Sequence, residues 1–215
     1  MKQITKLLLL VLFACGMHLQ AYSQSTDAIE RGMQLSEEDK QEFQQRIADL
    51  VKEFQGYLTK IANDTNGYEV RQSAKKSALN LFIGKGASYS MEEVDGRMKQ
   101  YDPVKMWTSS KYNSRLRSQL MTSYLNNLYQ LGNAFIIKIQ SVDAVRVDNI
   151  NQLPNGRYVA MAYFVQKYSR YTKDGRLIYS DETTKKVKVF INPVEVGDGI
   201  VWKAYMGDVY VVETK

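Results

Sequence analysis

Residues 158–171 read Tyr158-Val159-Ala160-Met161-Ala162-Tyr163-Phe164-Val165-Gln166-Lys167-Tyr168-Ser169-Arg170-Tyr171, and this stretch decides the fold. β-branched and aromatic side chains dominate it, and neither Pro nor Gly interrupts it. Lys173-Asp174-Gly175-Arg176 follows, a sequence suited to a tight hairpin turn. The stretch is therefore one arm of a long β-hairpin. Successive strand residues face opposite sides of a sheet. Ala160, Ala162 and Phe164 point one way, and Val159, Met161, Tyr163 and Val165 the other. Both sides are apolar. A sheet covered by helices on one side only would show polar residues on its other side, so the second side is expected to be covered too, by a second copy of the chain, a partner or a long loop.

Outward from this strand the period of two persists. In 177–191, Val187, Val189 and Ile191 alternate with Lys186 and Lys188, and Asn192-Pro193 closes that strand. Gly197-Asp198-Gly199 opens a fourth strand over 200–212. Upstream, Phe135, Ile137, Ile139, Val145 and Val147 alternate with Lys138, Gln140 and Arg146, and Pro154-Asn155-Gly156 turns the chain. The C-terminal half is thus expected to be a four-stranded antiparallel meander.

The first half has the helical period instead. Ser36 can cap a helix whose first turn holds Glu37, Glu38 and Asp39, and Phe43, Ile47, Leu50, Val51, Phe54, Leu58 and Ile61 form its buried stripe. A second helix spans about 68–83, with Val70, Ala74, Ala78, Leu81 and Phe82 on one side and Arg71, Lys75 and Lys76 on the other. Asp95-Gly96 suits a short hairpin pairing 91–94 with 97–100. Asp102-Pro103 then suits a third helix start, with Leu116, Leu120, Tyr124, Leu125, Leu128 and Leu131 as its stripe and a break at Ser109, Ser110, Asn113 and Ser114. Helices first and strands last imply an α+β fold, with amphipathic helices on one face of a curved four-stranded antiparallel sheet.

This order of elements resembles the nuclear transport factor two-like superfamily over residues 36–214. The resemblance implies a cone in which a curved sheet wraps helices and leaves a cavity at its open end. Members include isomerases, dehydratases and hydrolases as well as binding and scaffolding modules. No functional residue is common to all of them, so the resemblance assigns none here.

The chain has 215 residues, a formal net charge of +6, one Cys and one His. Residues 1–23 read as a secretory signal peptide: Lys2 and Lys6, an apolar run through Phe13 and Ala14, and Ala21-Tyr22-Ser23 before a cut at Gln24. The run is too short to span a bilayer, which needs about 20 residues. Leu12-Phe13-Ala14-Cys15 also forms a loose lipobox, so anchoring through a lipidated Cys15 is the alternative. Residues 24–35 are a polar tether, and 36–215 a single α+β domain. The expected location is periplasmic or extracellular. Because Cys15 and His18 both lie in the leader, the exported chain has neither thiol nor imidazole. That excludes Cys and His nucleophiles, Ser-His-Asp triads and Cys/His zinc sites. No cofactor is implied. Gly84-Lys85-Gly86 lacks the earlier glycine and preceding strand of a phosphate loop and reads as a helix stop.

The binding surface expected from these residues is Val159, Met161, Tyr163 and Val165, contacting an envelope protein or a second copy of the chain. If the helices take that side, the surface is Ala160, Ala162 and Phe164. Lys167, Arg170, Lys173, Arg176, Lys185, Lys186, Lys188 and Lys203 read as a solvated basic face or an attraction for an anionic envelope polymer, and no nucleic-acid motif is present. Tyr158, Tyr163, Tyr168, Tyr171, Tyr179, Tyr205 and Tyr210 either pair across strands or line a cavity. Asp143, Glu182 and Asp208 are the carboxylates a cavity could use. The expected function is a non-catalytic envelope binding or scaffolding module. The alternatives are a cavity isomerase or dehydratase using a carboxylate with Tyr, and a small-ligand binder without chemistry. A filled core favours the scaffold; a deep pocket with a buried carboxylate beside a Tyr hydroxyl favours the cavity enzyme.

Overall fold

The expected strand at 158–171 is present with the bounds Tyr158–Tyr171 (β8) and forms the spine of the sheet. The computed structural model describes residues 34–93, 95–197 and 199–215. The leader, Cys15, the cut at Gln24 and all but the end of the tether lie outside the described residues.

The elements run α1 (Glu37–Ala62), α2 (Tyr68–Asn80), a 3-10 turn (Ile83–Gly86), β1 (Tyr89–Glu92), β2 (Met98–Tyr101), β3 (Lys105–Ser110), β4 (Asn113–Leu120), α3 (Met121–Ala134), β5 (Ile136–Ser141), β6 (Arg146–Val147), β7 (Asn151–Gln152), β8, β9 (Leu177–Val196) and β10 (Gly199–Thr214). The class is α+β. The sheet is larger than the four antiparallel strands expected: it has eight, on a path β4-β3-β10-β9-β8-β5 with β6 and β7 also on β8. It is mixed, because β10 meets β3 in parallel at Val209 and Met106. β5 pairs with 166–171 of β8, β6 with Ala162 and Tyr163, and β7 with Tyr158 and Val159, so three short segments share one flank of one long strand.

Two differences have physical causes. The third helix expected from Asp102 begins only at Met121; residues 105–120 are the β3–β4 hairpin. Val104 and Met106 are fully buried, while Leu116 and Leu120, assigned above to the helical stripe, are exposed. Strand alternation outweighs the four-residue spacing of those leucines. Second, Asn192-Pro193 does not end β9. Beyond Ile191, which faces Tyr158, β9 has only β10 beside it, and Pro193 sits opposite Trp202. A strand with one neighbour tolerates a residue lacking N–H.

Ser36 caps α1 within its own first turn: its Oγ accepts from the Asp39 backbone N–H at 3.1 Å while the Asp39 carboxylate accepts from the Ser36 backbone N–H at 2.9 Å. From Lys40 onward the chain forms one compact unit. Its core joins the stripe of α1 (Phe43, Ile47, Val51, Phe54, Leu58, Ile61) to the even residues of β8 and the odd residues of β9, and Phe54 meets Phe82 edge-on at 5.1 Å. A short hairpin does form around Asp95-Gly96, but it pairs Tyr89–Glu92 with Met98–Tyr101 rather than 91–94 with 97–100, and Met91 faces Lys99.

Arg71 of α2 is buried and fastens the helix ends. It donates to the Ile61 carbonyl (2.8 Å), the Tyr129 carbonyl (2.6 Å) and Asn133 Oδ1 (2.6 Å), and its guanidinium lies 3.9 Å from the Tyr129 ring centroid. The Ile61 carbonyl lies in the last turn of α1, where carbonyls lack internal partners. α3 can approach so closely because residue 132 is glycine: a Cβ there would stand 2.2 Å from the Ala62 carbonyl oxygen. The glycine-lysine-glycine segment is the helix stop expected of it, with Gly84, Lys85 and Gly86 all at positive φ. No helix among the described residues is long and apolar enough to cross a membrane.

Candidate functional site

The core face of the β8–β9 ribbon changes character along its length. From the Tyr158–Ile191 pair through Ala160–Val189 and Ala162–Val187, cross-strand partners are apolar. From Phe164–Lys185 onward they turn polar: Gln166 faces Thr183, Tyr168 faces Asp181 and Arg170 faces Tyr179. Side chains of one parity share one face, so these polar groups point toward the helices, not away from them. α3 lies across this half and supplies Tyr124, Asn127, Leu128 and Leu131; β3 adds Thr108, Ser109 and Ser110, and β10 adds Val211. Between them is a cavity of about 430 Å³, within the range typical of small-ligand sites.

At its floor Lys185 is buried, 6% exposed. Its Nζ donates to Gln166 Oε1 at 2.7 Å, leaving two further N–H donors. Burial pushes the amine down from 10.5 to about 8, opposed in part by the charge of Asp181. Asp181 is also buried. Desolvation raises its carboxyl above the ordinary value, against the hydrogen bond donated by the Tyr179 hydroxyl and the charges of Lys185 and Lys111. Tyr179 is pushed up to about 12 by burial and by that same bond. Tyr168 and Tyr124 are raised as well, again chiefly by burial.

Two further donors are orphaned. Gln166 Nε2 and Arg170 Nε are buried without a hydrogen-bond partner among the described residues. Buried polar groups are almost always satisfied, and each unsatisfied one costs about 1–3 kcal/mol. The unpartnered buried polar atoms of the lining are thus both donors, while Leu128, Leu131 and Val211 give an apolar wall. Asp181 is the only carboxylate lining the cavity, and no group of three or more His, Cys, Asp or Glu comes together among the described residues. The donor set suits an organic ligand carrying an acceptor better than a metal ion.

The carboxylates named from sequence lie elsewhere. Asp143 is exposed beyond β5. Asp208 accepts from the Lys105 backbone N–H at 2.8 Å and from the Tyr210 hydroxyl at 3.2 Å, fastening β3 to an irregularity in β10. Glu182 is on the opposite parity of β9 from the cavity. Asp181, one position from the expected Glu182, takes its place in the cavity, and Lys185, grouped above with a solvated or anion-attracting basic face, is buried there. The available signal was parity: carried back from Ile191, Val189 and Val187, it passes through Lys185, Thr183, Asp181 and Tyr179. Of the tyrosines singled out, Tyr168 and Tyr179 line the cavity, with Tyr124 added from α3.

The helices take the alternative side of β8, which leaves the expected binding residues together on the other. Ala160, Ala162 and Phe164 are core residues, 3%, 0% and 2% exposed. Val159, Met161, Tyr163 and Val165 share the other face, each half-buried, opposite Phe190, Lys188, Lys186 and Thr184. Arg146 lies 4.3 Å from the Tyr163 ring centroid. Comparison with protein-family models, with curated proteins and with solved structures finds no match for this chain.

Proposed function

We propose that this protein is an exported binding module of the bacterial cell envelope that holds a small organic ligand in the cavity between α3 and the polar half of the β8–β9 ribbon. The observation that carries this is the convergence of Lys185, Asp181, Tyr179 and Gln166 on one space of about 430 Å³. Charged groups are rarely sunk into a core without a partner or a use. The secretory leader supports export, and a cavity between helices and a sheet is what the resemblance to the nuclear transport factor two-like superfamily implies. Leu131→Trp, which fills the cavity, provides the test. Compounds from a small-molecule panel that raise the melting temperature of the natural chain should lose that effect in the variant. Equal shifts in both proteins would refute the reading.

Two other readings each have one supporting observation. The Tyr179–Asp181 hydrogen bond supplies the carboxylate and hydroxyl that a cavity isomerase or dehydratase would use. Exchange of a bound ketone's α-protons with deuterated water, abolished by Asp181→Asn, is the result that favours it; no exchange counts against it. The half-buried strip Val159, Met161, Tyr163 and Val165 favours contact with a partner protein or a second copy through the sheet. There, Tyr163→Lys with Val165→Lys should lower the mass seen by light scattering or release an envelope partner, and an unchanged size and partner set would dismiss it.

A further inference from the structure

The cavity floor is unbalanced in a specific way. Lys185 brings one positive charge and two free N–H donors, Arg170 a second positive charge and an orphaned Nε–H, and Gln166 an orphaned amide N–H. Against them stands one carboxylate, Asp181, which already accepts from Tyr179. One positive charge and several donors are left over. We infer that the ligand is an organic monocarboxylate with an apolar tail, its carboxylate seated on Lys185, Gln166 and Arg170 and its tail against Leu128, Leu131 and Val211. A single carboxylate supplies one negative charge and up to four lone-pair sites, which meets the surplus of both. A phosphate dianion would overshoot the charge, and an amine would face two cations. The inference rests on the cavity being a ligand site and adds the ligand's chemistry to it.

The titratable and charged groups that line the cavity with Lys185 are Asp181 and Tyr179 on its own strand, Tyr168 and Arg170 on β8, and Tyr124 on α3; Asp181 acts on the amine, and Lys111 acts on Asp181 from the β3–β4 turn. A bound carboxylate restores the amine's proton, so binding takes up protons around pH 8 and weakens as the solution becomes more alkaline.

The experiment titrates the full chain with 4-phenylbutanoate, with its amide and with 4-phenylbutylamine, by calorimetry in two buffers of different ionisation enthalpy. The expected result is carboxylate binding at least about tenfold tighter than the amide, no binding of the amine, and proton uptake near pH 8. In Lys185→Met the carboxylate and amide should bind alike; Arg170→Gln, on a less buried residue, should narrow the gap by itself. Amide binding as tight as carboxylate binding, lost in Leu131→Trp, overturns the inference while leaving the cavity reading intact. Preference for the amine overturns it too. Failure of all three probes to bind at millimolar concentration overturns both.

Discussion

Lys185→Met should make the protein more stable at neutral pH, and the size of the gain should depend on pH. An amine held down from 10.5 to about 8 costs the folded chain about 3 kcal/mol wherever both states carry the proton. The sign follows from where the proton sits. Below pH 8 the amine is charged in both states and the full cost applies. Between 8 and 10.5 the folded amine loses its proton while the unfolded one keeps it, so stability rises with pH across that window; above it the cost is gone. Methionine removes the cost, which is already net of the attraction of Asp181, but leaves Gln166 Oε1 without its donor, about 2 kcal/mol. The variant should therefore be about 1 kcal/mol more stable near pH 7 and about 1 kcal/mol less stable near pH 10, where part of the cost remains. Urea unfolding of both proteins at several pH values measures this. The raised tyrosines contribute equally to both and cancel in the difference. A stability difference independent of pH would mean that Lys185 ionises as in water, and the buried-amine account would be wrong.

Gly132→Ala should destabilise by about 3 kcal/mol, because the added carbon collides with the Ala62 carbonyl, a backbone atom that cannot swing aside; an unchanged melting temperature would show that α3 does not approach α1 so closely. Arg71→Met removes three hydrogen bonds to helix ends and should cost about 3 kcal/mol in urea unfolding, whereas a loss below about 1 kcal/mol would mean that water replaces it. The exported chain should begin at Gln24 by intact mass; a diacyl adduct on Cys15 would identify a lipoprotein instead.

Where the sequence pattern is local, it was legible. β8 and the 172–176 turn follow from an unbroken β-favouring run and a glycine at positive φ, and α1 follows from its cap and stripe. What was not legible depends on partners distant in the chain. The parallel contact of Met106 with Val209 has no local signature, so residues 105–120 offered only their own pattern, and leucines at helical spacing there suggested a helix. Pro193 is tolerated because β8 has already ended beside it, which only the register reveals. The cavity was half legible. Strand parity places Asp181 and Lys185 with the core residues of β9, but a lysine alternating with neighbouring lysines looks like an exposed one. Only α3 lying over that end, rather than water, makes it a buried cation.

The most direct measurement is a crystal structure of the full chain with 4-phenylbutanoate. The account predicts density for the compound between α3 and the β8–β9 ribbon, with its carboxylate within about 3.2 Å of Lys185 Nζ and its ring against Leu128 and Leu131. A compound bound on the face of Val159 and Tyr163, or a cavity closed by repacked side chains with Lys185 turned to solvent, would contradict it.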